Sequence, residues 1–121
     1  MQRFFFAMGA AFALLGVAAG AFGAHALKGK LSLDMQTTFE TAVRYQMYHA
    51  LGLIGVAWAL SQWSNAVIAA AGWLFILGIA IFSGSLYVLA LSGIRWLGAI
   101  TPIGGLCFIA GWACLVWGAR G

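Results

Sequence analysis

The residues whose types and spacing could support chemistry lie between positions 25 and 49. Six of them form the candidate polar cluster: His25, Glu40, Arg44, Tyr45, Tyr48 and His49. The two histidines are the only ones in the chain, and imidazole titrates near neutral pH. On a helix, Glu40, Arg44 and Tyr48 share one face at i, i+4 and i+8. Tyr45 and His49, also four residues apart, form a neighbouring row.

Three roles are open for the two histidines. His25 ends the first apolar run on the side of the membrane where the second begins, so the two rings could approach each other, with Glu40 or Asp34 nearby. Such a pair could relay protons or bind a ligand. Zinc would need three or four ligands, so we expect no metal and no cofactor. Structural anchoring through hydrogen bonds between helices is the role that we prefer.

The residues expected of an enzyme or a proton-coupled exporter are missing. The sequence has no Ser-His-Asp set and no glycine-rich loop after a strand. No Asp or Glu falls in the long apolar runs, whereas a small multidrug exporter needs an embedded carboxylate to exchange protons for cations. We therefore expect a non-enzymatic protein, and a small transporter or channel is the weaker alternative.

Composition places these residues in a membrane protein. The chain of 121 residues is 64% hydrophobic and 7% charged, whereas about a quarter of the residues in a soluble domain are charged. Too few charges are present to cover a water-exposed surface. We expect one transmembrane domain over residues 1–121, because the connections between apolar runs leave no room for a second fold.

The apolar runs predict an all-α integral membrane bundle of four helices. A bilayer core takes about 20 apolar helical residues, and the expected spans are 4–27, 43–60, 66–91 and 97–118. Residues 32–42 read as an amphipathic interfacial helix that turns or runs into the second span. Ser32 suits its N-cap, with Asp34 in the first turn.

The cations mark the membrane boundaries. They are scattered along the chain and form no clustered basic face, so we expect no nucleic-acid partner. Lys28, Lys30 and Arg44 are candidate contacts for anionic lipid headgroups. Lys28, Lys30, Arg44 and Arg95 flank one side of the membrane, and Arg3 and Arg120 flank the other. Positive residues concentrate on the cytoplasmic side, which predicts that both termini lie outside.

Glycines at regular spacing predict close helix packing. Glycine lets helix backbones approach where lipid provides no hydrophobic drive, and a seven-residue stride keeps one seam facing a partner. The candidates are Gly9, Gly16, Gly20 and Gly23 in the first span and Gly104, Gly111 and Gly118 in the fourth. The seams could face other spans, which we favour, or the same seam of a second copy in a homo-oligomer, or a membrane-protein partner.

Several blocks in order resemble one family. GAFGAHALK, TFETAVRYQMYHALGL, FSGSLYVLALSG and TPIGGLCFIAGW are similar to domain of unknown function 423, small four-span proteins of bacterial inner membranes, and to the eukaryotic transmembrane protein 256 group. The resemblance covers roughly residues 9–115 and implies a four-helix protein of the inner membrane. It implies no activity. The family's motif positions fall on His25, Glu40, Arg44, Tyr45, Tyr48, His49, Ser83, Tyr87, Thr101, Pro102 and Gly104.

Overall fold

The computed structural model describes residues 1–120, which form helices joined by short connections. The helices are α1 (Gln2–His25), α2 (Leu33–Gln62), α3 (Ala66–Gly78), α4 (Gly84–Ser92) and α5 (Thr101–Ala119). A π-helical turn, Ile79–Ser83, joins α3 to α4, and a 3₁₀ turn, Arg95–Ala99, precedes α5. Because α3, the π-helical turn and α4 follow one another without a break, residues 1–120 form four helical rods: α1, α2, α3–α4 and α5 with its 3₁₀ turn. The predicted all-α bundle is confirmed.

Three of the rods are apolar and long enough to cross a membrane. They are Gln2–His25, Ala66–Ser92 and Arg95–Ala119. The remaining rod, α2, is the longest helix at 30 residues, and its first turns are more polar than the rest. Residues 32–42 and 43–60 run together without a break in α2, which is one of the two arrangements that the sequence allows. Its N-terminus is capped as expected, because Met35 N–H donates to Ser32 Oγ at 3.2 Å.

The core is concentrated near the chain's N-terminus and around the α2–α3 connection. The large side chains with no exposed surface there are Phe5, Leu53, Val56, Ile68 and Phe75. Phe5 of α1 reaches across to α3, where a Cβ built on Gly72 would lie 2.5 Å from the Phe5 ring. Only a glycine at this position leaves room for the ring. This contact joins α1 to α3 at one end of the bundle.

Both glycine rows lie against neighbouring helices of the same chain. In α1, a Cβ built on Gly16 would lie 2.5 Å from Met47 Sδ, and one on Gly23 would lie 2.6 Å from the Phe39 ring. The remaining pairs follow the same pattern: Gly9 faces Ala50 and Gly20 faces Val43 on α2, while Gly104, Gly111 and Gly118 of α5 face Phe82, Phe75 and Ile68. Backbones therefore approach closely along α1–α2 and along α5 with the α3–α4 rod.

Candidate functional site

The two histidines lie at different depths of the bundle. His25 is exposed at the end of α1, whereas His49 is only 4% exposed in the middle of α2. The end of α1 lies beside the first turns of α2, because Gly23 packs against Phe39. From Phe39 to His49 is ten residues, or about 15 Å along a helix. The approach of His25 to His49 that the sequence allows is therefore not formed.

The row Glu40, Arg44 and Tyr48 lies on an exposed face of α2. Glu40 and Arg44 border a shallow pocket of about 150 Å³ beside Gly20 and Gly23. Tyr48 is 52% exposed, and its ring contacts Tyr45 edge-on at 5.6 Å between centroids. These side chains share an exposed face, as the spacing predicts, but Glu40 and Arg44 border a different pocket from the buried His49, and only Tyr48 lies beside it.

The ring of His49 is held on several sides. Trp112 Nε1–H of α5 donates to His49 Nε2 at 3.0 Å, and His49 Nδ1 lies 2.7 Å from the Tyr45 carbonyl oxygen. An Nε2 that accepts from indole leaves Nδ1 to carry the proton and donate to that carbonyl. The ring also stacks on Phe108, with centroids 3.5 Å apart. Both ring nitrogens are thus engaged inside the chain, and neither is free to ligate a metal.

Gln46 is the second buried polar residue of α2, and it connects three rods. Gln46 Nε2–H donates to the Phe12 carbonyl of α1 at 2.8 Å. The hydroxyl of Tyr87 in α4 donates to Gln46 Oε1 at 2.6 Å. With only 5% of its surface exposed, the amide has its partners within the bundle. It fixes α1 and α4 relative to α2.

Two serines make further contacts between rods. Ser83, at the end of the π-helical turn, is 1% exposed and donates to the Ala42 carbonyl of α2 at 2.7 Å. The hydroxyls of Ser85 in α4 and Thr101 in α5 lie 2.6 Å apart. Because a membrane interior has no water to satisfy these groups, each such contact fixes the position of one helix against another.

An open groove lies between α1 and α4, with Gln46, Ser83 and Tyr87 among the residues that border it. It has a volume of about 560 Å³. The α1 wall consists of Phe12, Leu15, Ala18, Ala19 and Phe22, and the opposite wall of Ile79, Ala80, Gly84 and Leu91. The groove exists because α1 meets α3 through Phe5 but is not packed against α4 further along.

An aromatic groove of similar volume lies on the other side of α2. Tyr45, Tyr48, His49, Phe108 and Trp112 are among the residues around its volume of about 580 Å³. Unlike the first groove, it exposes the edge of the His49 ring and rings that stack on one another. Within residues 1–120, no group of three or more His, Cys, Asp or Glu side chains is placed to hold a metal ion.

Sequence reasoning gave too little weight to Gln46 and Trp112. Neither is among the predicted site residues, yet Gln46 bonds to Phe12 and Tyr87, and the Trp112 indole donates to His49. One signal could have found the glutamine: Ala42, Gln46 and His49 recur at i, i+4 and i+7, which is one face of a helix. That face is opposite the charged row, so its polar side chains must find partners inside.

Known proteins are similar to this chain over the region that contains Gln46 and His49. A family model described as "Protein of unknown function (DUF423)" matches residues 19–105. The chain belongs to the DUF423 family. The match runs from the last two turns of α1 to the beginning of α5, and so includes Gln46, His49, Ser83 and Tyr87.

Relatives within the DUF423 family match nearly the whole chain. The UPF0382 membrane protein of Staphylococcus haemolyticus is 54% identical over 115 residues, 95% of this chain and 93% of that one. The protein of the same description from Staphylococcus saprophyticus is 49% identical over 117 residues, 97% of each chain. UPF0382 membrane protein YwdK of Bacillus subtilis is 48% identical over 116 residues, 95% of this chain and 94% of that one.

The names of these relatives and the apolar rods show that the DUF423 chain is a membrane protein. The relatives are named as membrane proteins, and this chain has three helices long and apolar enough to cross a bilayer. It is a helical membrane protein. No solved structure matches the chain. The names of the relatives assign no activity.

Proposed function

We propose that this DUF423 protein is a non-enzymatic accessory protein of the cytoplasmic membrane. It acts as a scaffold that holds another membrane component against its lateral surface. One observation carries the proposal: the buried polar side chains Gln46, His49, Ser83 and Ser85 all bond to partners within the chain, on other rods or on their own helix. Groups used in this way fix helices together instead of presenting themselves to a substrate.

The arrangement offers no continuous polar route for a transporter. His49 has both ring nitrogens engaged, and the exposed His25 lies at the end of another helix. Glu40 is exposed on the face of α2 away from His49. Within residues 1–120, Gln36 Oε1 is the one buried side-chain oxygen or nitrogen without a hydrogen-bond partner. Gln36 Nε2–H donates to the Gly23 carbonyl, which places this side chain near the end of α1 and away from His49.

Contacts with a partner or a second copy would use the outer faces of α1 and α5. The glycine rows are occupied by side chains of the same chain, so they are not available for self-association. The outer faces instead carry exposed apolar side chains, including Leu14 and Val17 on α1 and Leu106, Ile109 and Val116 on α5. We place this surface in the inner membrane with both termini outside, on the distribution of the cations.

Proton flux into proteoliposomes separates a scaffold from a transporter. The purified wild type, His49→Phe and the double variant His25→Ala/His49→Ala would be reconstituted with a trapped pH-sensitive dye. We expect all three to show the flux of protein-free vesicles, because the His49 ring serves a structural contact. A wild-type flux that His49→Phe abolishes while the variant remains folded would overturn the proposal.

The accessory role itself is tested by what the protein holds in detergent. We expect a homo-oligomer or a retained membrane component when the mass of the purified protein is measured over a range of protein-to-detergent ratios. A bare monomer at every ratio would contradict the role.

A further inference from the structure

The groove between α1 and α4 has the length of one leaflet. On the α1 side it extends from Phe12 to Phe22, ten residues or about 15 Å along a helix. The hydrocarbon core of a bilayer is about 30 Å thick. The groove begins at mid-bundle, where Ile79 and Gln46 lie, and ends near the ends of α1 and α4. It therefore follows the path of a single acyl chain from the bilayer centre to one surface.

The end of the groove lies beside a group of cations. Leu27, which follows α1, packs in a cluster with Ala90 and Tyr87 of α4, so the connection after α1 lies next to the end of α4. Lys28 and Lys30 are exposed in that connection, and Arg95 is exposed directly after α4. Asp34 is the carboxylate of this region, and Glu40 points into the separate pocket that it shares with Arg44. Three positive charges against one negative charge favour an anionic group here.

We propose that the groove binds one anionic phospholipid, with an acyl chain along α1 and α4 and the phosphate near Lys28, Lys30 and Arg95. Apolar walls suit the chain, and the cations at the open end suit the headgroup. This ligand site goes beyond the accessory role. It rests on the shape and charge of the groove, and it stands whether or not the protein also binds a protein partner.

Small residues keep the groove open. Gly84 borders the groove, and a Cβ built on it would have no other atom within 4 Å. A side chain at this position would begin in open space and extend toward the site of the acyl chain. Leucine is also a better helix former than glycine, so Gly84→Leu is compatible with folding. Gly55 of α2 has the same open surroundings but borders a different groove, which makes Gly55→Leu a matched control.

Native mass spectrometry of the full chain tests the proposal. The protein would be equilibrated with phosphatidylglycerol or with phosphatidylcholine carrying the same acyl chains. We expect the wild type to retain one phosphatidylglycerol about 100-fold more strongly than phosphatidylcholine. Gly84→Leu should lower retention of phosphatidylglycerol at least tenfold, and Gly55→Leu should leave it unchanged, with thermal unfolding used to verify that both variants are folded.

Charge variants test the headgroup contact separately. A cation near an anionic lipid contributes about fivefold in affinity, so Lys28→Gln/Lys30→Gln/Arg95→Gln should weaken phosphatidylglycerol binding about 100-fold, to the level of phosphatidylcholine. The control variant Arg3→Gln/Arg120→Gln removes two cations at the opposite end of the bundle and should leave phosphatidylglycerol binding unchanged. Equal retention of the two lipids by the wild type, equal loss in the two charge variants, or equal retention by Gly84→Leu and Gly55→Leu would each overturn the proposal.

Discussion

The two halves of the bundle are held together differently. In the closed half, near Phe5 and the α2–α3 connection, large side chains such as Phe5 and Ile68 have no exposed surface and α1 touches α3. In the open half, beyond the π-helical turn, α1 and α4 stand apart and leave a groove of about 560 Å³. Here Gln46 bonds to both walls, through the Phe12 carbonyl of α1 and the Tyr87 hydroxyl of α4.

The difference shows how one set of helices can pack tightly and still leave a binding surface. Lipid is as apolar as the helix surfaces, so helices associate through close packing and through hydrogen bonds. The closed half relies on large rings fitted against glycines, such as Phe5 at Gly72. In the open half α1 still packs on α2 through Gly16 and Gly23, but α1 and α4 are connected through Gln46, which fixes the distance between them without requiring the space between them to be filled.

The largest expected effect comes from adding a side chain at a glycine that packs directly against the backbone of another helix. A Cβ on Gly104 would meet the Phe82 amide nitrogen and lie 2.8 Å from its Cα, so α5 must move away from the rod. Gly104→Ala should destabilise the fold by about 3 kcal/mol, at the upper end of the usual overpacking cost. Thermal unfolding in detergent measures it. The neighbouring Gly105→Ala, whose Cβ would lie 3.9 Å from Phe82, is the control, and equal destabilisation of the two variants would refute the close approach.

The next effect contrasts a large ring in each half. Phe5 has no exposed surface, whereas Phe22 on the groove wall is 51% exposed. Phe5→Ala should cost on the order of 2 kcal/mol, below the 3–5 kcal/mol of aqueous cores because membrane helices lack the transfer term. Phe22→Ala should cost much less, since lipid replaces the ring. If unfolding experiments gave equal losses for both, the distinction between a closed and an open half would fail.

A smaller effect concerns the polar contact of the open half. Gln46→Leu leaves the Tyr87 hydroxyl without its acceptor, which should cost about 1–2 kcal/mol. Adding Tyr87→Phe removes the stranded hydroxyl and should recover most of that loss. The unfolding free energies of the two single variants and the double variant provide the check. A double variant that loses the sum of both single effects would show that the two side chains do not depend on each other.

Much of this arrangement follows from the sequence, and the part that does not has a physical reason. Apolar run lengths predict the helical bundle, and Ser32 predicts a cap that the structure has. The hydrogen-bond partner of a buried side chain cannot be predicted in this way, because it depends on how the helices are rotated about their axes relative to each other. Nothing local to Gln46 indicates Tyr87, 41 residues away, and nothing local to Trp112 indicates His49.

The groove was also beyond the reach of sequence reasoning. Leu15, Ala18 and Phe22 have the same apolar character as residues that pack inside, and only the separation of α1 from α4 turns them into a wall. Their spacing cannot show whether a helix, a lipid or a second copy covers them. The π-helical turn, which positions Ser83 against Ala42, likewise leaves no mark in the pattern of apolar residues.

The central claim is that the buried polar side chains hold helices together, and a double-mutant cycle on His49 and Trp112 tests it most directly. His49→Phe keeps an aromatic ring on Phe108, and Trp112→Phe keeps one at the α5 position, so each variant removes mainly the hydrogen bond. Unfolding free energies in mixed micelles should give a coupling of about 0.6 kcal/mol, and at most about 1.7 kcal/mol. A coupling indistinguishable from zero would contradict the claim.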